Sequence, residues 1–179
     1  MKNNDVEKIL ITESELKERI IELGKEISID YKGKDILAIG ILKGSVIFMA
    51  DLIRNIESNV SIDFMIVSSY GNSSTTCGKI TIKKDLDTDI KGKHVLIVED
   101  IIDSGVTLSK LKEELLKREP ESLKICTLLN KPERRTAEID VDYIGFDTPN
   151  EFIIGYGLDY AEKYRELPYI GVLKREIYE

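Results

Sequence analysis

The stretch His94-Val95-Leu96-Ile97-Val98-Glu99-Asp100-Ile101-Ile102-Asp103-Ser104-Gly105-Val106-Thr107 decides how this chain folds. Val95 to Val98 is an apolar run without alternation, the pattern of a strand buried on both faces of a parallel sheet. Two adjacent acids, Glu99 and Asp100, stand where that strand should end. Asp103 then opens a Ser-Gly-Val-Thr turn, and Leu108, Leu111, Leu115 and Leu116 recur at helical spacing. The stretch therefore predicts a strand, an acidic loop and a helix entrance. In open α/β sheets, ligands bind at the carboxyl ends of the strands.

The residue types in this loop suit a particular chemistry. A turn that opens a helix points backbone N–H groups outward, and the helix dipole favours an anion there. Gly105 lets the backbone come close to a ligand, and Ser104 and Thr107 add hydroxyl donors, which describes a monophosphate cradle. Glu99 and Asp100 would repel a phosphate that touched them, so they suit sugar hydroxyls or a hydrated divalent cation one step back. Asp103, between the two groups, is a candidate proton acceptor. A solvated acidic loop before a capped helix accounts for the same spacing, and spacing alone does not separate the two readings.

Working outward, the 179 residues suit one domain with room for a hydrophobic core. The net charge of −7 argues against nucleic acid or an anionic membrane as the main partner. No apolar run approaches membrane-spanning length, and the first residues lack a signal-peptide core. Cys77 and Cys126 have no metal-like spacing; two isolated thiols are expected to be reduced and structural, which fits the cytoplasm. His94 begins a strand, and a structural or exposed role is expected for it rather than a catalytic one.

Thr12-Glu13-Ser14-Glu15 reads as a capping box, and Leu16, Ile20 and Leu23 line one face of the helix that follows. Ile36 to Leu42 is a second buried strand, ending in Lys43-Gly44-Ser45. The next helix is expected to turn Val46, Met49, Ala50, Ile53 and Ile56 toward the core. Ser61 to Ser69 reads as a strand, residues 70–78 as a polar, Gly-bounded mobile loop or lid, and Lys79 to Lys84 as a returning strand. Leu123 to Leu129 is a further buried strand that ends in Asn130-Lys131-Pro132, and Val141 to Phe146 another. The tail from Asp147 mixes aromatics, glycines and acids without a helical period before a last strand, Ile170 to Leu173. Such a tail packs as a flap or covers a planar ligand.

Together these pieces resemble the type I phosphoribosyltransferases. The 94–107 stretch resembles their signature for phosphoribosyl pyrophosphate (PRPP). The Leu42-Lys43-Gly44 loop, Ser68-Ser69-Tyr70-Gly71, Lys131 and the tail from Phe152 to Arg165 are similar to the bacterial hypoxanthine-guanine branch, over about Leu37 to Leu173. The resemblance implies an α/β fold: a mainly parallel central sheet flanked by helices, with a core of about residues 30–148 and a small hood from about 149–179 plus N-terminal residues. It implies that hypoxanthine or guanine reacts with PRPP to give IMP or GMP and pyrophosphate, with Mg²⁺ as cofactor. It also implies a homodimer or homotetramer.

Site roles follow from the same resemblance. Glu99 and Asp100 would hold the ribose hydroxyls, directly or through metal. Asp103 would manage the proton at purine N7. Ser104, Gly105, Val106 and Thr107 would cradle the 5′-phosphate, and Lys43, Gly44 and Arg165 would bind pyrophosphate. A non-proline cis peptide is implied between Leu42 and Lys43. Ser69 and Tyr70 would close over the site. Lys131 would donate to the purine O6 and Phe152 would stack on the base. Carbonyls near Ile153 and Asp159 would accept from guanine's amine, and Asp159 would bind a second Mg²⁺. Ser104 stands where the family often has Thr, with the hydroxyl retained. Two rivals remain: a non-catalytic PRPP sensor, for which a basic surface or an added DNA-binding domain would be expected, and a related enzyme specific for xanthine or another base.

Overall fold

In the computed structural model, which describes residues 4–69 and 80–179, strands and helices alternate over most of the chain. The order is β1 (Val6–Ile11), α1 (Glu13–Asp30), β2 (Ile36–Ile41), α2 (Val46–Ile53), β3 (Val60–Ser69), β4 (Ile80–Lys84), β5 (His94–Ile102), α3 (Val106–Leu116), β6 (Ser122–Asn130), β7 (Tyr143–Asp147), β8 (Ile153–Ile154), β9 (Ile170–Leu173) and α4 (Arg175–Tyr178). The expected lid at residues 70–78, with Tyr70 and Cys77, lies outside the described residues.

The apolar runs build a six-stranded sheet in the order β4-β3-β2-β5-β6-β7. Every pairing is parallel except β3 with β4. Alternation along the central strands divides the core between the two faces. Ile36, Ala38, Leu96, Val98 and Cys126 pack against Leu16, Ile20, Leu23 and Ile27 of α1 and Phe48, Met49 and Leu52 of α2. Leu37, Ile39, Val95, Ile97 and Ile125 pack against Leu108, Leu111 and Leu115 of α3. The capping box of α1 forms in both directions: Thr12 N donates to Glu15 Oε2 at 2.8 Å, and Glu15 N to Thr12 Oγ1 at 3.3 Å. A separate three-stranded antiparallel sheet, β1-β9-β8, joins the two ends of the chain.

The structure corrects several expectations. β5 does not end at Glu99; it runs through both acids, and Ile101 and Ile102 still pair with Leu129 and Asn130 of β6. The acids are therefore strand residues near its carboxyl end. In α2 the buried residues are Phe48, Met49 and Leu52, while Val46 is 42% exposed. Nearly every residue of this helix is apolar, so its sequence carries no polar face to set the phase. Leu116 is 50% exposed, one step past the buried stripe of α3. β1 and α4 were not expected at all. His94 is structural: its Nδ1 lies 2.8 Å from Ser122 Oγ, and its ring meets Tyr31 edge-on.

Asp63 fastens the return from β4. Its carboxylate accepts from the backbone N–H of Phe64 (2.7 Å), Asp87 (3.0 Å) and Thr88 (2.8 Å). Burial works against its charge, but the backbone donors win and hold its pKa below the ordinary aspartate value. Asp63→Ala should cost about 2 kcal/mol of unfolding free energy, since three part-buried backbone donors lose a charged acceptor. Denaturant melts check this. The wild-type advantage should be complete above the unfolded aspartate pKa and fade as pH falls through the lowered folded value.

Candidate active site

Parallel pairing of β2 and β5 brings two loops together at one sheet edge. Gly40 is opposite Val98, so the Leu42-Lys43-Gly44 turn leaves the sheet beside Glu99 and Asp100. The Leu42–Lys43 peptide is cis, as the resemblance implied. Ser45 anchors the turn by donating its hydroxyl to Ile41 O at 2.6 Å. A Cβ on Gly44 would fall on the Asp100 carboxylate, and a Cβ on Gly157 (φ 102°) would fall on Gly44 O. Only glycine permits this stacking of carboxylate, backbone and backbone.

Asp100 Oδ1 accepts from Ile101 N at 2.6 Å, and Glu99 Oε1 from Asp100 N at 3.3 Å. Burial, then repulsion from Asp100, raises the Glu99 pKa well above its ordinary value. Burial raises Asp100 as well, against the pull of the Arg165 charge. Two adjacent carboxyls in such a setting favour proton, cation or hydroxyl partners over bare charge.

The turn after β5 is held from behind. Gly105 takes a left-handed conformation (φ 79°) at the start of α3. Ser104 Oγ accepts weakly from Val106 N at 3.4 Å, and Ser104 O accepts from Thr136 N and Ala137 N, each at 3.0 Å. Asp103 Oδ1 lies 2.8 Å from Arg134 Nε. Lys131 is buried; its N–H donates to Ile102 O at 3.0 Å and its Nζ to Glu151 O at 2.7 Å. Desolvation lowers the Lys131 pKa, and the Asp103 charge partly restores it.

The tail supplies the far wall. Arg165 pairs with Asp159 at 2.8 Å and donates to Gly157 O at 2.7 Å. Glu162 pairs with Lys43 at 2.9 Å and reaches Arg165 at 3.5 Å. Phe152 stacks on Tyr178 with centroids 4.7 Å apart and meets Tyr160 edge-on at 5.5 Å.

One cleft of about 350 Å³ gathers most of the expected site: Lys43, Gly44, Glu99, Asp100, Asp103, Ser104, Gly105, Thr107, Asp159 and Arg165. Val106, Lys131, Phe152 and Ile153 do not line it. Ser69 ends β3, and Tyr70 lies outside the described residues. Sequence reasoning missed Arg134, Arg135 and Glu162. The paired arginines directly after Lys131-Pro132-Glu133 were the available signal for the first two.

With this geometry in view, comparison with known proteins is direct. The phosphoribosyl transferase domain family matches residues 8–161. The hypoxanthine-guanine phosphoribosyltransferase of Bacillus subtilis is 54% identical over all of this chain and 99% of its own. The bifunctional TilS/HprT protein of Listeria monocytogenes is 52% identical over 98% of this chain, which spans only 27% of that longer protein. A crystal structure of the Staphylococcus aureus hypoxanthine phosphoribosyltransferase superposes with a TM-score of 0.95 at 49% identity, covering 98% of this chain and 96% of that one. The chain belongs to the phosphoribosyltransferase family, among its hypoxanthine-guanine phosphoribosyltransferases.

Proposed function

We propose that the protein transfers the 5-phosphoribosyl group of PRPP to N9 of hypoxanthine or guanine, giving IMP or GMP and pyrophosphate. The observation that carries this reading is one cleft in which a glycine-tight Lys43-Gly44 turn, two half-buried acids and Ser104, Gly105 and Thr107 face Asp159 and Arg165. In this reading the N–H groups and hydroxyls of residues 104–107 hold the 5′-phosphate at the start of α3. Glu99 and Asp100 hold the ribose diol. Lys43 and Arg165 hold the pyrophosphate and neutralise the charge it gains as the bond to C1′ breaks.

C1′ becomes oxocarbenium-like as pyrophosphate departs, and N9 forms the new bond. The proton given up by the purine is managed by Asp103 at N7. Lys131 donates to O6, which selects an oxo group over adenine's amine, because adenine would set donor against donor. Phe152 offers its ring to the base, with the carbonyls near Ile153 and Asp159 for guanine's amine. The small sheet and tail then serve as a hood, and closure over the site falls to Ser69 and Tyr70. Two adjacent carboxylates, with Asp159 across the cleft, suit Mg²⁺, which binds few protein carboxylates and completes its shell with water and phosphate. When bound, Mg²⁺ supplies charge neutralisation at the ribose and pyrophosphate oxygens. The buried free thiol of Cys126 suits a reducing compartment such as the cytoplasm; homodimer or homotetramer assembly is part of the same reading.

Purified protein with PRPP, Mg²⁺ and each of hypoxanthine, guanine, xanthine and adenine tests the proposal by nucleotide formation. IMP and GMP should appear and AMP should not; no product from any base would sink the enzymatic reading in favour of a PRPP sensor. Asp103→Asn should lower kcat by about a hundredfold, the low end for general acid–base catalysis, with PRPP binding retained. Unchanged turnover would remove Asp103 from proton handling. Lys131→Ala should cut kcat/KM for 6-oxopurines by about ten- to a hundredfold through loss of a charged donor; a matching loss of PRPP affinity would argue against the O6 contact.

A further inference from the structure

Arg134 follows the base-side Lys131 by one short turn. Its Nε lies 2.8 Å from Asp103 Oδ1, yet that oxygen is shut off from water and receives no hydrogen bond of normal geometry. The guanidinium therefore acts on it chiefly as a neighbouring charge. Both side chains are about half exposed. Ion pairs of that kind contribute little to stability, so the weight of this one does not lie in the fold.

The backbone around the pair is held firmly. Successive carbonyls of the Asp103 turn accept from the segment that carries Arg134: Ile102 O from Lys131 N at 3.0 Å, Asp103 O from Arg135 Nε at 3.3 Å, and Ser104 O from Thr136 N at 3.0 Å. Arg135 is itself fixed by donating to Asn130 Oδ1 at 2.5 Å, and Asn130 donates to Asp147 Oδ1 at 2.6 Å. Residues 131–137 thus form a strap along the turn, with Arg134 set against the Asp103 carboxylate. Arginine keeps its charge throughout any physiological range, so it takes no part in proton traffic itself.

We propose that Arg134 is a positioning residue for Asp103, holding the carboxylate in place and aimed for the purine proton. This rests on the reading that Asp103 handles that proton. The proton leaves the purine nitrogen for a carboxylate oxygen of Asp103, Arg134 stays cationic, and the neutral carboxyl later returns the proton to water. With Oδ1 enclosed beside Arg134, the half-exposed Asp103 side chain offers its other oxygen, Oδ2, for this transfer.

A double-mutant cycle tests the proposal, comparing wild type, Arg134→Met, Asp103→Asn and the double variant for kcat with hypoxanthine. Arg134→Met should lower kcat about tenfold in the wild-type background and by less than about twofold in Asp103→Asn, because a residue acting through Asp103 has nothing left to act on. Arg134→Lys should recover part of the loss. PRPP affinity and melting temperature should stay at wild-type values. Equal losses in both backgrounds, or no loss in the wild type, would overturn the proposal while leaving the role of Asp103 intact. If Asp103→Asn itself had wild-type kcat, the proton-handling reading would fail, and this inference with it.

Discussion

The structure depends on a contact that only glycine permits: the Asp100 carboxylate seated against the backbone of Gly44. It fixes how close the turn after β2 comes to the end of β5. The tail is packed as tightly, because Gly157 lies against the Gly44 carbonyl and Arg165 donates to Gly157 O. A side chain at Gly157 would press on the Gly44 backbone and part the covering segment from the sheet edge, while one at Gly44 would displace the Asp100 carboxylate. The cleft is therefore set by backbone packing first. Side-chain chemistry is hung on that frame.

Charge is arranged in the cleft as matched sets. The half-buried acids Glu99 and Asp100 repel each other, and desolvation, before any other cause, raises both pKa values. Across from them, Lys43 and Arg165 are paired with Glu162 and Asp159. A polyanionic ligand would exchange with those carboxylates at the cations, and its metal or hydroxyl groups would meet the acids. The cost of binding such a ligand is lowered because cations and anions already stand at fixed sites. Lys131 belongs to a different group. It is held by a tail carbonyl and by the Asp103 turn, so the proposed base contact stands apart from the proposed phosphate grip.

Much of this was legible in the chain. Apolar runs such as Ile36 to Ile41 and Val95 to Val98 announce strands buried on both faces, and the Thr12 capping box announces α1. The continuation of β5 through Glu99 and Asp100 was not legible, because paired acids look like a loop until β6 supplies their hydrogen-bonding partners. The phase of α2 was hidden by a helix apolar on nearly every side. β1 buries only Val6 and Ile11 fully and carries charges between them, as exposed edge strands do. In the site, motif residues could be named from sequence. The Arg134–Asp103 approach and the Phe152–Tyr178 stack could not, since both are made by chain segments that meet only after the sheet and tail have folded.

Glycine packing at the sheet edge shapes the proposed PRPP site around Asp100. Calorimetric titration of Mg²⁺ and PRPP into Gly44→Ala tests it most directly. A methyl group there must displace the Asp100 carboxylate, so affinity should fall at least about tenfold, the scale of one lost charged contact. Wild-type affinity in that variant would contradict the account.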